Sequence, residues 1–352
     1  MSDILVVLVN KDNKDGLEQA LRSLTNQQEC RICECFDVLI MDGDSKDGSR
    51  EVSERYRKRF PCIVFKVQEV KGGVGPARIE AVRYALDHNY KYIVWGDAEN
   101  IYEPTYLKEL IGCCRTEGDV ISGKTVVRHE SIWSKMFYWY HAYHLMFSYV
   151  RKRHAPGNNK IVKRDVYSVT NYVPSSRSDD FYFSIQALGK GITFGYCPSA
   201  VAYVSVPKTY EGVKFWQRSR VRGLIEGIYM LGKLFPPDLI PWTIFAIAPI
   251  GLLIAVIAQL LIPPTLLESV LLWAGIGAYL FLISYLFIKL EVLAKKAYTS
   301  PSPLQGFLGL LGMYLHSWFT VIYSFKYMWS FRSKRRELRE KALQIYRKFG
   351  FS

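Results

Sequence analysis

Residues 36–48 read FDVLIMDGDSKDG. An almost unbroken apolar run closed abruptly by acids and glycine is the pattern of a buried strand ending in a tight loop. Upstream, residues 4–9 (ILVVLV) form a β-branched apolar run, and residues 15–25 carry Leu17, Ala20, Leu21 and Leu24 at helical spacing, so a strand–helix unit opens the chain. Downstream, the pattern predicts a helix over 51–60, a strand over 63–67, a glycine-started helix over 72–88 and a strand over 90–95 that runs out at Asp97. Strands alternating with helices through short loops predict an α/β fold with a doubly wound, mostly parallel sheet. Ligands of such sheets bind beyond the carboxyl ends of the strands, where the acidic loops after Met41 and Trp95 fall.

From about residue 237 onward the apolar density rises. Residues 241–262 and 266–288 are each long enough, at ~20 apolar residues, to cross a bilayer, and Pro263 and Pro264 join them tightly. Lys289, Lys295 and Lys296 follow the second run, which places the base of this hairpin on the cytoplasmic side. A third apolar segment, 303–329, contains Gln305, His316 and Ser317. It either crosses once, which would put the basic tail outside, or is re-entrant or interfacial. The expected division is therefore a catalytic domain over 1–205, interfacial amphipathic helices over 206–236, a transmembrane domain over 237–330, and a basic cytoplasmic tail over 331–352.

The 352 residues carry 46 Lys+Arg against 32 Asp+Glu, a formal net charge of +14. No nucleic-acid-binding signature accompanies this charge. The basic residues instead cluster at 151–153, 218–222 and 332–348, which suits anionic headgroups and cytoplasmic loops. With seven cysteines and no leader-like apolar run at the N-terminus, reduced thiols are expected. The C-x-x-C-x-C run of Cys30, Cys33 and Cys35 reads as small buried residues at a helix–strand junction rather than as a metal site. The aromatic stretch 133–149 is either a buried face or a surface for lipid or an amphipathic acceptor.

Five motifs can carry chemistry. Asp97 and Glu99, two residues apart beyond a strand, can hold one divalent cation through oxygen. Asp42 can accept hydrogen bonds from a ribose or base, or serve its own turn with Gly43, Asp44 and Ser45. Gly72, Gly73 and Gly75 open a helix and permit close approach to a phosphate, with the charge of Arg78 nearby. Asp179 and Asp180 either cap the following helix or include a base that deprotonates an acceptor hydroxyl. Gln217 and Arg220 precede the membrane runs, where an arginine neutralises a diphosphate or flanks a bilayer.

The order of these motifs resembles glycosyltransferase family 2, from about residue 4 to 223. In pattern the chain is most similar to the succinoglycan-biosynthesis type, through residues 97–107 (DAENIYEPTYL), residues 203–208 (YVSVPK) leading to Gln217, and His316, Ser317 and Trp318. The resemblance implies a GT-A fold and a metal-dependent hexosyltransferase. It implies that Asp42 contacts the nucleotide, that Asp97 and Glu99 bind Mg²⁺ or Mn²⁺ on the diphosphate, that Asp180 is the general base, and that Gln217 and Arg220 form the Q-x-x-R element near a phosphate. The expected activity is inverting transfer of a sugar from a nucleotide-diphosphate donor to a lipid-linked acceptor, a polyprenyl- or dolichyl-linked chain or a glycolipid. The expected location is the cell membrane, multi-pass, with the catalytic domain cytoplasmic and no nucleic-acid partner. A processive polysaccharide synthase and a polyprenyl-phosphate sugar synthase are the enzymatic alternatives, and a membrane-anchored scaffold without chemistry is the non-enzymatic one. The chain departs from the family pattern at 9–13 (VNKDN), at Val221 in place of Trp, and at Asp179 in place of Glu.

Overall fold

The computed structural model describes residues 2–128, 131–232 and 239–351; the expected junction at 236–237 lies outside them. The chain opens with β1 (Ile4–Asn10), α1 (Lys14–Thr25), β2 (Phe36–Asp42), α2 (Ser49–Arg57), β3 (Ile63–Val67), α3 (Val74–Asp87) and β4 (Tyr92–Asp97). Each falls within a few residues of its expected place. The short β5 (Ile101–Tyr102), α4 (Tyr106–Thr116), β6 (Val120–Arg128), the aromatic α5 (Ile132–Met146) and β7 (Asn159–Lys163) follow, then α6 (Asp179–Leu188) and β8 (Phe194–Ser205).

These strands form one sheet in the order β3-β2-β1-β4-β7-β6-β8-β5. β1 lies parallel between β2 and β4, while β7 runs antiparallel to both β4 and β6. Side chains alternate along β1, as a two-residue period requires. Val6 and Leu8 face a layer with α1 and α4, and Leu5 and Val7 face α3, α6 and the end of the chain. The strand order reverses at β1, and Asp97 at the end of β4 is in register with Val9 of β1. A crevice opens at such a switch point.

After β8 come α7 (Tyr210–Leu231), α8 (Leu239–Leu261), α9 (Leu266–Ala297), α10 (Gln305–Arg332) and α11 (Arg335–Lys348). α8, α9 and α10 are each long and apolar enough to cross a membrane. The turn between α8 and α9 exposes Leu260, Leu261, Ile262 and Leu266 at 70–83%, so the hairpin tip projects away from the folded domain. α11 returns to the sheet domain, where Ile345 and Phe349 bury against the α3 layer.

The expectation of reduced thiols is overturned. Cys30 pairs with Cys35, Cys33 with Cys62, and Cys113 with Cys197, leaving Cys114 free and buried. Cys113 on α4 and Cys197 on β8 are 84 residues apart in sequence and 5.9 Å apart at Cα, a proximity that only the sheet order creates.

Candidate active site

A cavity of about 1420 Å³ opens at the switch point. Asn10, Asp97 and Glu99 line one wall, Arg177, Asp179 and Asp180 another, and α5 contributes Trp139, Tyr140, His141 and Tyr143. The structure thus brings Asp97, Glu99, Asp180, Arg78 and Arg220 to one cavity and leaves Asp42, Gly73 and Gln217 off its walls.

Asp97 and Glu99 follow β4 directly, and the Glu99 backbone is fixed by a hydrogen bond from Arg128 to its carbonyl, at 2.7 Å. Neither carboxylate accepts a hydrogen bond among the described residues, and Asp97 keeps 38% of its side chain open, 4.0 Å from Arg78. Enclosure by protein raises both acids. Glu99 is pushed up to about 7, chiefly by burial and then by the charge of Asp97. Burial raises Asp97 against the partial relief of Arg78 and Arg177. Two under-neutralised carboxylates facing a cavity are a donor set suited to a hard cation. No group of three or more metal-ligating side chains stands together among the described residues, so a cation here would complete its shell with substrate oxygens and water.

Asp179 and Asp180 start α6 and separate at once in role. Asp179 is buried and paired with Arg78 at 2.8 Å. Burial alone would lower the Arg78 guanidinium, but Asp179, with Tyr172, Asp180 and Asp97 behind it, pushes it up. Arg78 also donates to the Gly157 carbonyl at 3.0 Å, so its charge is largely engaged within the protein. Asp180 accepts from the Gly157 N–H at 2.9 Å and lies 4.0 Å from His154 Nε2. Burial would raise Asp180, but His154 when protonated, together with Arg78, Lys160 and the Gly157 N–H, outweighs it and holds the carboxyl below its ordinary value. Burial pushes His154 itself down to about 4. At neutral pH the imidazole is uncharged, so the depression then rests chiefly on Arg78 and the Gly157 N–H. Asp180 is a carboxylate at neutral pH, open to the cavity.

The remaining candidates are placed as follows. Asp42 is buried and accepts from Asn10 Nδ2 and the Ser45 N–H, both at 2.7 Å; it holds its own turn, and through it Asn10 reaches the cavity. At Gly73 (φ +114) an added Cβ would stand 2.4 Å from the Ser176 carbonyl oxygen. The first amides of α3, Val74 and Gly75, donate to Ser176 and Ser175. The room these glycines leave is thus filled by protein backbone. Gln217 is fully buried and accepts from Arg220 Nε at 3.2 Å, and Arg220 also donates to Thr320 of α10. Val221 packs in the core between α7 and the end of the chain.

Sequence reasoning missed Tyr143, His154 and Arg177. Tyr143 Oη contacts His154 Nδ1, on the far side of the ring from Asp180. Their loop and helix carry no spacing that marks them; only the fold brings them to Asp180. Of the aromatic stretch, α5 buries Phe137 and Tyr138 as a packed face and turns Tyr140 and Tyr143 toward the cavity.

Residues 3–173, most of the N-terminal domain, match the family model described as glycosyl transferase family 2. An undecaprenyl-phosphate mannosyltransferase of Micrococcus luteus is 30% identical over 90 residues, 26% of this chain and 37% of that protein. The uncharacterised glycosyltransferase YfnE of Bacillus subtilis is 35% identical over 80 residues, 23% of this chain and 19% of its own. The chain therefore spans well under half the length of these curated relatives. Among solved structures, the mannosyltransferase PcManGT of Pyrobaculum calidifontis, in complex with GDP-Man and Mn²⁺, superposes with a TM-score of 0.59 at 16% identity, covering 92% of this chain and 87% of that one. That likeness establishes the shared GT-A fold.

Proposed function

We propose that this chain is an inverting glycosyltransferase that moves a sugar from a nucleotide-diphosphate donor to a lipid-linked acceptor at a membrane. The observation that carries the reading is the continuity of one cavity. Its acidic end holds Asp97, Glu99 and Asp180, and its other end is walled by Ala248 of α8 and by Tyr279, Leu282 and Leu286 of α9. A polar donor and an apolar acceptor tail can occupy such a space together.

In this reading the acceptor oxygen attacks the anomeric carbon, the bond from that carbon to the diphosphate breaks, and the diphosphate leaves with the electron pair. Asp180 takes the acceptor's proton. Asp97 and Glu99 would hold a Mg²⁺ or Mn²⁺, which when bound neutralises the diphosphate. The Mn²⁺ and GDP-Man held in the PcManGT complex accord with that donor set. Asp179 and Arg78 keep Asp180 and Gly157 in place. Lys289, Lys295 and Lys296 in the last turns of α9 support a cytoplasmic side for the catalytic domain. Six paired cysteines on that side are a combination known from intracellular proteins of hyperthermophiles.

A second reading, transfer to a polyprenyl phosphate itself, is favoured by the name of the Micrococcus relative. A phosphate acceptor is already ionised and needs no base. The test is nucleoside-diphosphate release by the full chain in nanodiscs, across a panel of nucleotide-sugars, with and without polyprenyl-linked acceptors and Mn²⁺. Release that requires both lipid acceptor and metal supports the proposal. No release with any donor above the rate without protein overturns it.

A further inference from the structure

α10 is as long and apolar as a membrane span, about 42 Å at the helical rise per residue. Its contacts extend beyond the other apolar helices to the catalytic half. At its start Gln305 donates to the Lys135 carbonyl of α5. In its middle Thr320 receives Arg220 of α7. At its end Arg218 donates to Tyr327 Oη at 3.1 Å, and Tyr229 Oη donates to the Met328 carbonyl at 3.2 Å. A Cβ on Gly312 would stand 1.9 Å from the Met136 carbonyl oxygen, so the helix lies backbone to backbone on α5. Along its length it is seated on α5 and α7 of the catalytic half, and it packs against α8 and α9 as well.

The chain on either side agrees. Just before α10, the Thr299 N–H donates to the Val127 carbonyl of β6 at 3.1 Å, so α9 has returned to the catalytic domain. Just after it, Tyr346 of α11 donates to the Tyr172 carbonyl at 2.8 Å and Lys348 pairs with Glu69 at 3.1 Å. Both flanks of α10 touch one domain on one side of the bilayer. A single helix between them makes an even number of crossings, which is none.

The outward face of α10 then has a different partner. Leu304, Phe307, Leu311, Ile322, Phe325 and Trp329 are 39–82% exposed and fall within an arc of about 60° at 3.6 residues per turn. The polar side chains Gln305, His316, Ser317, Thr320 and Ser324 are turned inward and buried. We infer that α10 does not span the membrane but lies in its plane, seating the catalytic domain on the headgroup–acyl boundary through this stripe, and that only α8 and α9 cross. The hairpin borders the stripe at Tyr314, which Phe245 at the base of α8 contacts, while Trp242 meets His316 on the buried face of α10. Apolar stripes on helices that lie on bilayers bury in this way. The inference rests on the α8–α9 hairpin crossing, not on the chemistry proposed above.

The test uses the full chain in sealed vesicles with epitope tags at both ends and a third between Ile262 and Thr265. Protease protection is expected to place both terminal tags on one side and the middle tag on the other. Terminal tags on opposite sides, or all three on one side, would overturn the inference. Depth is read independently from a fluorophore at Phe307, Leu315 or Phe325, quenched by nitroxides near the headgroup or near the bilayer centre. Shallow quenching should dominate at all three positions. Deepest quenching at Leu315, with its neighbours shallower, is the signature of a spanning helix and would refute it. Nucleotide-sugar turnover is not read in either arm, so failure here leaves the proposed activity standing.

Discussion

Asp179 and Asp180 are adjacent in sequence and opposite in circumstance. Asp179 is locked onto Arg78 out of solvent, while Asp180 lines the cavity. Asp180→Asn should bind nucleotide-sugar and metal as the parent does, yet turn over at least ~100-fold more slowly, the low end of what losing a general base costs. Full activity in isothermal-binding-competent Asp180→Asn would remove the base and favour the phosphate acceptor. Asp179→Asn should fail differently, because it leaves a buried guanidinium without its counter-charge, a loss of roughly 3–5 kcal/mol. A lowered melting temperature with chemistry preserved in the folded fraction is the expected result. For the metal pair, Asp97→Asn and Glu99→Gln should abolish the dependence of donor binding on Mn²⁺. Metal-dependent binding that survives in both variants would sink the assignment.

At the scale of the element, α5 carries two buried histidines, His141 and His144, that couple it to pH. His144 is fully buried with neither ring nitrogen hydrogen-bonded among the described residues, and Arg151 and His154 stand near it. Burial first, then those charges, pushes it down to about 3. His141 on the same helix is lowered to about 4, again mainly by burial. The unfolded chain holds these imidazoles near their ordinary pKa of about 6.5. Between there and the folded values the unfolded state binds more protons, so stability falls as pH falls through that window. A histidine shifted this far contributes up to about 1.4 kcal/mol per pH unit within it. Melting temperatures measured from pH 7 down to 5 should drop less steeply in His144→Phe than in the parent. An identical slope would show that this helix is not what acid loosens.

Across the whole molecule, one disulfide ties α4 to β8, another ties the segment before β2 to Cys62 just before β3, and a third closes the segment before β2 on itself. The Cys113–Cys197 link closes the longest loop, 84 residues in separation, for which the chain-entropy picture gives about 4–5 kcal/mol. Alkylation of the denatured, unreduced chain should capture one thiol, Cys114, and mass spectrometry after reduction should find seven. Reductant should also lower the melting temperature by several degrees. Seven reactive thiols before reduction would restore the expectation of a reduced protein. The same whole-molecule view explains the tail. Its basic charge reads as a membrane flank, but its apolar side, Ile345 and Phe349, docks on the catalytic domain.

What the sequence determined by itself was periodic or punctuated. Runs of period two or continuous apolar character placed β1 through β4 within a few residues. The loops at Asp42 and Asp97 followed, because a strand that ends in acids and glycine exposes its end. The two long apolar runs around Pro263 and Pro264 were legible for the same reason: burial in lipid demands composition over a length. Tertiary structure alone decided everything that depends on which surfaces meet. It took Asp42 and Gly73 for the scaffold, since the backbone at 175–176 and the side chain of Asn10 arrive there from elsewhere in the chain. It turned Asp179 onto Arg78 and left Asp180 facing the cavity. It brought His154 and Tyr143 to the acid that local spacing could not connect to them, and it paired cysteines that sequence distance keeps apart. It also laid α10 along α5 and α7. Hydropathy reports how apolar a helix is but not whether lipid surrounds it or covers one side, and that distinction belongs to the packing.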